Sequence, residues 1–386
     1  MMHGISPFQM EMDQHGKAIG VELAVAEAMA SGTTCFGEFS DYNPDILKFM
    51  EKAGVRCQMT LRIREAQERI YEPGEIYTFD PAQAEKDLEN SLDAFDRWQG
   101  SGQGRISILL GPQGPDFVSK KMLIKIKEKA LERNTKIHMH VQQGDRETYQ
   151  TLKRYNLRPI AFLDEIGYLD RHLIAVHLTD ARADEAVLAA SQGVSMILCS
   201  GSIGIIDGIV PPAKAFCDAG GKVALGSDQA PGNNCHNMFN EMKLTALFNK
   251  IRFQDPKVMP ASQVLKMATI DGAKALGLDR EIGSLEPGKQ ADFILVNLST
   301  PTMAPVYTQP MRNLVPNLVY SARGHEVSTL AVNGKILYDK GCYLTLDLPH
   351  TLGRANQYAA GLGSRGTKNF KKINGANAQM MKHNLL

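Results

Sequence analysis

Short apolar runs and helical stretches alternate along most of this chain, and that alternation limits its fold more than any other feature. Strand-like runs lie at residues 33–39, 55–63, 106–110, 136–141, 173–177, 194–199 and 223–225. Helical stretches fall between them, at 44–53, 82–98, 120–132, 146–155, 184–192 and 214–219. Such alternation is the signature of repeated βα units around a parallel sheet. Seven strands would suit a doubly wound sheet, but no Gly-x-Gly-x-x-Gly fingerprint follows any of them. A closed barrel needs eight strands and about 250 residues. The fold class is therefore read as α/β, a (β/α)8 TIM-type barrel whose first strand is missing or unrecognised.

The flanking segments have a different texture. Residues 1–20 are Met-rich with weak periodicity, and a helix at 21–30 stops at Ser31-Gly32, as glycine after a last turn predicts. Beyond the last barrel strand come helices at 237–249, 261–267 and 270–275. From Ile282 the chain turns to Gly283-Ser284-Leu285-Glu286-Pro287-Gly288, a strand at 291–296, and two apolar runs joined by Asn333-Gly334. Asn-Gly between apolar runs is the strongest short hairpin signal. The expected organisation is a barrel over 1–281, incomplete at its N-terminal side, a β-sandwich portion over 282–347, and a C-terminal helix with a flexible tail over 348–386. The Lys-, Asn- and Gly-rich stretch 363–386 reads as frayed.

At 386 residues and 43% hydrophobic, the chain can bury a large core. A formal net charge of +1, with both signs interspersed, excludes the electrostatic footprint of a nucleic-acid or membrane-surface protein. Cys35, Cys57, Cys199, Cys217, Cys235 and Cys342 are scattered, with no Cys-x-x-Cys pair. That argues for a reducing compartment and against a disulfide framework or a thiolate zinc site. With no run approaching the roughly 18 apolar residues of a membrane span and no signal peptide, a soluble cytoplasmic protein is expected.

In barrel enzymes the active site lies at the carboxyl ends of the strands. The 136–141 strand ends in Ile137-His138-Met139-His140, where alternation puts His138 and His140 on one face. The 173–177 strand ends in His177, and the 223–225 strand runs through Gly226-Ser227 into Asp228. Imidazole and carboxylate groups from separate strand ends are what a catalytic zinc needs, with one position left for water. Each also has a plainer reading: a satisfied core histidine, or an aspartate capping the turn at Ala230-Pro231-Gly232-Asn233-Asn234. His236 reads as a surface or helix-start residue, and Cys199 and Cys235 as small inert side chains. Spacing alone leaves these alternatives open.

Several longer stretches narrow them. Ser31-Gly32-Thr33-Thr34-Cys35-Phe36, Gly111-Pro112-Gln113-Gly114-Pro115, Ile137-His138-Met139-His140, His177-Leu178-Thr179-Asp180, and Gly226-Ser227-Asp228 with Asn233-Asn234 and Met238-Phe239-Asn240-Glu241-Met242 form one ordered set. Gly208-Ile209-Val210-Pro211, Ala268-Thr269-Ile270-Asp271-Gly272-Ala273-Lys274-Ala275-Leu276-Gly277-Leu278 and Ile282-Gly283-Ser284-Leu285-Glu286-Pro287-Gly288-Lys289, followed by Ala291-Asp292, complete it. Together they resemble the amidohydrolase superfamily, in its branch of triazine hydrolases and adenosine-type (methylthioadenosine, S-adenosylhomocysteine) deaminases. The resemblance covers residues 21–343. It implies a metal-dependent hydrolase that attacks a C–N centre of a nitrogen heterocycle or cyclic amidine with metal-activated water. The cofactor implied is zinc or another divalent metal such as iron, the partner a small heterocyclic substrate, and the assembly a homodimer. Carried over by position, His140 and Asp228 are the metal ligands, and Asp228, His177 and Gln143 the catalytic residues. Gln113, His177 and Ser202 contact the substrate.

The chain also departs from that pattern. The His-x-His expected at the end of the first strand is absent; only His3 and His15 precede Thr33, and the start reads as truncated. The site is then a fragment of a longer one, is completed by a rearranged histidine, or is inactive and serves as a binding remnant. The Glu that follows the strand-end His by three positions in the deaminases is Gln143 here, which hydrogen-bonds but cannot titrate. The strand-four His is Gln113, and the catalytic His of the sixth strand aligns with either His177 or Ile174. Asp145 or Glu147 is the candidate replacement carboxylate, with a solvated loop charge as the alternative.

Overall fold

The structure, a computed structural model, describes residues 6–69, 71–72, 74–373, 379–380 and 382–385. Seven strands form one parallel sheet in sequence order: β1 (Cys35–Ser40), β2 (Arg56–Ile63), β3 (Ile106–Pro112), β4 (Ile137–Val141), β5 (Leu173–His177), β6 (Ser195–Leu198) and β7 (Lys222–Leu225). The sheet curls into a barrel with a seam: no ladder joins β7 to β1 among the described residues. The alternation read from the sequence is thus the observed one, with seven strands.

Local chemistry explains the sharpest elements. Helix Pro44–Ala53 begins where Asn43 Oδ1 accepts from Asp45 N (3.0 Å), has Pro at its first position, and ends at Gly54 in the left-handed region (φ 83°). It buries Ile46, Leu47, Met50 and Ala53, one face of a 3.6-residue period. Each large side chain so buried contributes about 1.5–3 kcal/mol.

Ladder register assigns the faces. Phe39 pairs with Thr60, Thr60 with Leu109, His138 with Ile174, His140 with Val176, and Ile197 with both Val176 and Ala224. These side chains share the inner face. Leu109, Ile174, Val176, Ile197, Cys199 and Ala224 form the barrel's apolar floor together with Ala275. Ala275 belongs to helix Ile270–Leu276, whose last carbonyls accept from Gln58 Nε2 (Leu276 O, 3.1 Å) and Lys136 Nζ (Ala275 O, 3.1 Å). The 268–278 stretch singled out in the sequence therefore contains the helix that closes the barrel floor.

The small β unit is one antiparallel sheet, β8 (Phe293–Val296), β9 (Val327–Val332), β10 (Lys335–Asp339) and β11 (Cys342–Tyr343), in the order β11-β10-β9-β8. Asn333 and Gly334 both have positive φ (50° and 75°), as a two-residue hairpin of this kind requires. Asp292, just before β8, pairs with Arg56 of β2 through two bonds (2.7 and 3.1 Å), and Arg56 also donates to Asn333 Oδ1. Both charged side chains are almost wholly buried.

Two expectations need correction at the ends of the chain. The N-terminal helix is Gln14–Ala30, beginning before residue 21, because Asp13 Oδ1 accepts from Gly16 N (2.8 Å) and caps it there. The C-terminal helix Leu348–Ile373 runs well past Gly363 rather than fraying. It is held by the N-terminal segment: Tyr358 OH donates to Asp13 Oδ1 (3.0 Å), Asn369 Nδ2 to Glu11 Oε1 (2.8 Å), and Phe370 meets Phe8 (5.6 Å between centroids). Short helices at Pro159–Glu165 and Ser200–Ile206 were not foreseen.

The buried Arg56–Asp292 pair gives a test of how the two sheets are joined. Asp292→Ala leaves a buried guanidinium short of its partner and should cost about 3–5 kcal/mol. Lys214→Ala, which breaks the exposed Lys214–Asp218 pair, should cost less than about 0.5 kcal/mol. Urea denaturation of the two variants measures the contrast; equal midpoints would show that the pair does not join the sheets.

Candidate active site

His140 and His138 point into the barrel from the end of β4. His140 Nδ1 lies 2.9 Å from Gln113 O, so the backbone of the β3 exit sets the ring and leaves Nε2 toward the mouth. His138 Nδ1 lies 2.8 Å from Thr60 Oγ1 one layer deeper. Phe39 meets both rings edge-on, at 5.5 and 4.8 Å. Burial lowers the pKa of both, and of His138 to about 3, so these imidazoles are neutral donors of a lone pair. Gly111 lets β3 lie close against β2 here: a Cβ there would stand 2.7 Å from Leu61 O.

His177 pairs in the ladder with Val141, whose side chain belongs to the outer layer. Strand alternation alone would turn His177 away from the barrel. His177 and Leu178 both have positive φ (79° and 52°), which ends the strand and breaks the alternation. The imidazole instead stacks beside His140, with centroids 5.5 Å apart and planes 25° apart. It is 1% exposed, and neither ring nitrogen has a hydrogen-bond partner among the described residues. Burial pushes its pKa down to about 4, partly opposed by Asp228. Ile174, the other residue considered for this role, is part of the apolar floor.

Asp228 stands beyond β7 in the left-handed region (φ 59°). Oδ1 accepts from Gln229 N (2.7 Å), the expected turn contact, and Oδ2 accepts from Ser202 Oγ (2.5 Å). Its charge acts on both His140 and His177. Ser202, expected among the substrate contacts, is 1% exposed and donates to Asp228 Oδ2. The Asn233 and Glu241 motif supports the same loop. Asn233 Nδ2 donates to Ser227 O (2.7 Å) and to Glu241 Oε1 (2.8 Å), while Glu241 Oε2 accepts from Gly201 N (2.9 Å).

Of the remaining expectations, Gln113 Oε1 accepts from Arg64 Nη1 (3.2 Å) at the β3 exit. Gln143 follows β4, its backbone N–H bonded to Glu147 Oε2 (3.1 Å). Glu147 is neither a solvated charge nor a mouth carboxylate: it is 1% exposed and also accepts from Gln142 N (2.7 Å). Asp145 is exposed. Asp116, buried with no hydrogen-bond partner for either oxygen among the described residues, lies 3.4 Å from Arg146 Nε under the same loops. His15 is exposed beside Tyr358, and His3 lies outside the described residues.

Two bare imidazoles and a carboxylate fit a divalent cation in kind. His140 Nε2 and Asp228 are the groups that would hold one, with His177 beside them. Among the described residues, however, no three His, Cys, Asp or Glu side chains stand close enough around one point to enclose an ion as they are. His236, read from the sequence as a surface residue, is half-buried, with Nδ1 2.8 Å from Ser227 Oγ. Nothing in its sequence surroundings signals that bond.

The chain matches the sequence profile of the Amidohydrolase family over residues 2–337. It is 34% identical over 331 residues to a 5-methylthioadenosine/S-adenosylhomocysteine deaminase of Moorella thermoacetica, covering 85% of this chain and 72% of that one. It is 32% identical over 369 residues to a 5'-deoxyadenosine deaminase of Methanococcoides burtonii, covering 94% and 79%. Among solved structures, an adenosine deaminase of Xanthomonas campestris with bound zinc superposes with a TM-score of 0.82 at 27% identity, covering 92% of this chain and 76% of that one. The zinc complex of atrazine chlorohydrolase from Arthrobacter aurescens, at 17% identity and a TM-score of 0.80, shares the fold over 90% and 78%.

Burial raises the pKa of Glu147 from the ordinary 4.5 to about 8, so the folded protein keeps a proton that the unfolded chain has lost. Its stabilising contribution is complete below pH 4.5 and fades as pH rises through 8, at up to about 1.4 kcal/mol per pH unit in between. Glu147→Gln should therefore flatten the fall in stability between pH 5 and pH 8, measured by urea denaturation at both. An unchanged slope would show that Glu147 titrates normally.

Proposed function

Because this chain belongs to the amidohydrolase family, a family of hydrolases acting on C–N bonds, we propose that it removes the exocyclic amine of an adenosine-type nucleoside as ammonia. The observation that carries this reading is the set of His140, His177 and Asp228 at the exits of β4, β5 and β7, with two imidazoles neutral and open. The relatives named above as deaminases of 5'-modified adenosines support the substrate class.

In this reading His140 Nε2 and Asp228 are the groups that would hold a divalent metal, zinc or iron. When bound, such an ion makes water acidic enough to attack at neutral pH. Asp228 accepts the proton of the attacking water, since Ser202 and the Gln229 amide hold its carboxylate at the mouth. His177 faces the water or the leaving amine, because among the described residues no group hydrogen-bonds its nitrogens. Gln113 and Gln143 supply hydrogen bonds to the heterocycle, but Gln143 cannot carry a proton to a ring nitrogen. The six free cysteines suit a reducing, cytoplasmic setting.

A second reading, a nucleoside-binding barrel without turnover, is favoured by one observation: no three metal-capable groups among the described residues converge. Ammonia release from 5'-deoxyadenosine in the presence of Zn²⁺, Fe²⁺ or Mn²⁺ separates the two. The first reading predicts turnover that Asp228→Asn lowers about 10²-fold or more, and that Gln143→Glu raises about 10-fold by restoring a titratable group. Nucleoside binding without ammonia release would support the second.

A further inference from the structure

The seam between β7 and β1 carries no backbone ladder among the described residues, yet side chains cross it at the mouth. His236 makes the principal crossing. Its Nδ1 lies 2.8 Å from Ser227 Oγ on the β7 side. Its backbone N–H donates to Glu27 Oε1 (3.0 Å), and its carbonyl accepts from Ser31 Oγ (3.3 Å). Glu27 lies on helix Gln14–Ala30 and Ser31 is its C-cap, immediately before the turn into β1. One residue therefore touches both sides of the opening. A second crossing, Gln9 Nε2 to Gln229 Oε1 (3.0 Å), lies beside it.

Ser227 directly precedes Asp228, whose left-handed backbone is uncommon for a residue with a side chain. Such a conformation costs on the order of 1 kcal/mol and persists where the surroundings over-determine it. Asn233 holds the Ser227 carbonyl, and Gln229 N and Ser202 Oγ hold the Asp228 carboxylate. All of these belong to the β6–β7 side of the seam. Among the described residues, His236 ties the Ser227 side chain to the element that leads into β1. Elsewhere in a closed barrel, neighbouring strands fix a strand exit by their ladder; here the His236 and Gln9 crossings stand in its place, and His236 reaches Ser227.

We propose that His236 is a positioning residue for Asp228: a peg across the seam that holds Ser227, and through it the orientation of the carboxylate. A Ser–His nucleophile is the competing reading, and the contacts oppose it. Glu27 binds the backbone N–H of His236, and among the described residues no carboxylate hydrogen-bonds the other ring nitrogen to orient it. The proposal rests on the use of Asp228 in catalysis set out above.

The test compares wild type with His236→Leu, Ser227→Ala, the double variant and His236→Asn, whose amide nitrogen can replace Nδ1. Hydrogen exchange read by mass spectrometry over residues 226–237 is the first arm. His236→Leu and Ser227→Ala should each speed exchange about tenfold, the double variant should add nothing, and His236→Asn should return within about twofold of wild type. The second arm is steady-state ammonia release from 5'-deoxyadenosine, where both single variants should lower kcat about tenfold with KM within about twofold. Wild-type exchange in both single variants, additive effects in the double variant, or His236→Asn no better than His236→Leu would overturn the proposal. A wild type that binds nucleoside but releases no ammonia overturns the functional reading alone, and the exchange arm still decides the role of His236.

Discussion

The ladder between β4 and β5 pairs His138 with Ile174 and His140 with Val176. In a parallel sheet, paired residues share a face, so both histidines look into the barrel above an apolar floor. A slip of one residue would turn both rings into the outer layer and leave no imidazole at the mouth. Deep in the barrel this register excludes water and keeps His138 neutral. At its rim it sets His140 against the Gln113 carbonyl and presents the opposite nitrogen. His177 and Asp228 reach the same mouth by another route, from left-handed backbone just where their strands end.

The exit loops rest on buried acids. Glu241 joins the β6 exit at Gly201 to the Asn233 side chain beside β7, and Glu147 joins two successive amides after β4. Burial raises the pKa of both, and that of Asp116. Such groups stay buried because each accepts backbone or side-chain hydrogen bonds, or faces an arginine as Asp116 faces Arg146. The cost of burying them is offset by loops with defined geometry, which a site assembled from three strand ends requires.

Legibility in the sequence followed the physical range of each signal. Helices Pro44–Ala53 and Lys120–Glu132 and strand Leu173–His177 match the reading residue for residue, because caps, period and apolar runs are local properties. Pro159–Glu165 and Ser200–Ile206 were missed because two turns of mostly buried residues carry little periodicity. The course of Leu348–Ile373 beyond Gly363 depends on partners more than 300 residues away, which no local pattern announces. In the site, alternation placed His138 and His140 correctly, and the strand-end rule placed Asp228. The hold of Ser202 on Asp228 spans 26 positions, and the link from His236 to Glu27 spans 209. Those contacts exist only once the barrel has closed.

The account stands on His140 and Asp228 serving one metal at the mouth. Anomalous scattering at the zinc edge, from crystals grown with Zn²⁺, tests that claim most directly. It predicts a single strong peak about 2.0–2.2 Å from His140 Nε2 and from an Asp228 carboxylate oxygen. A mouth without a peak, with zinc bound only at surface histidines, would contradict it.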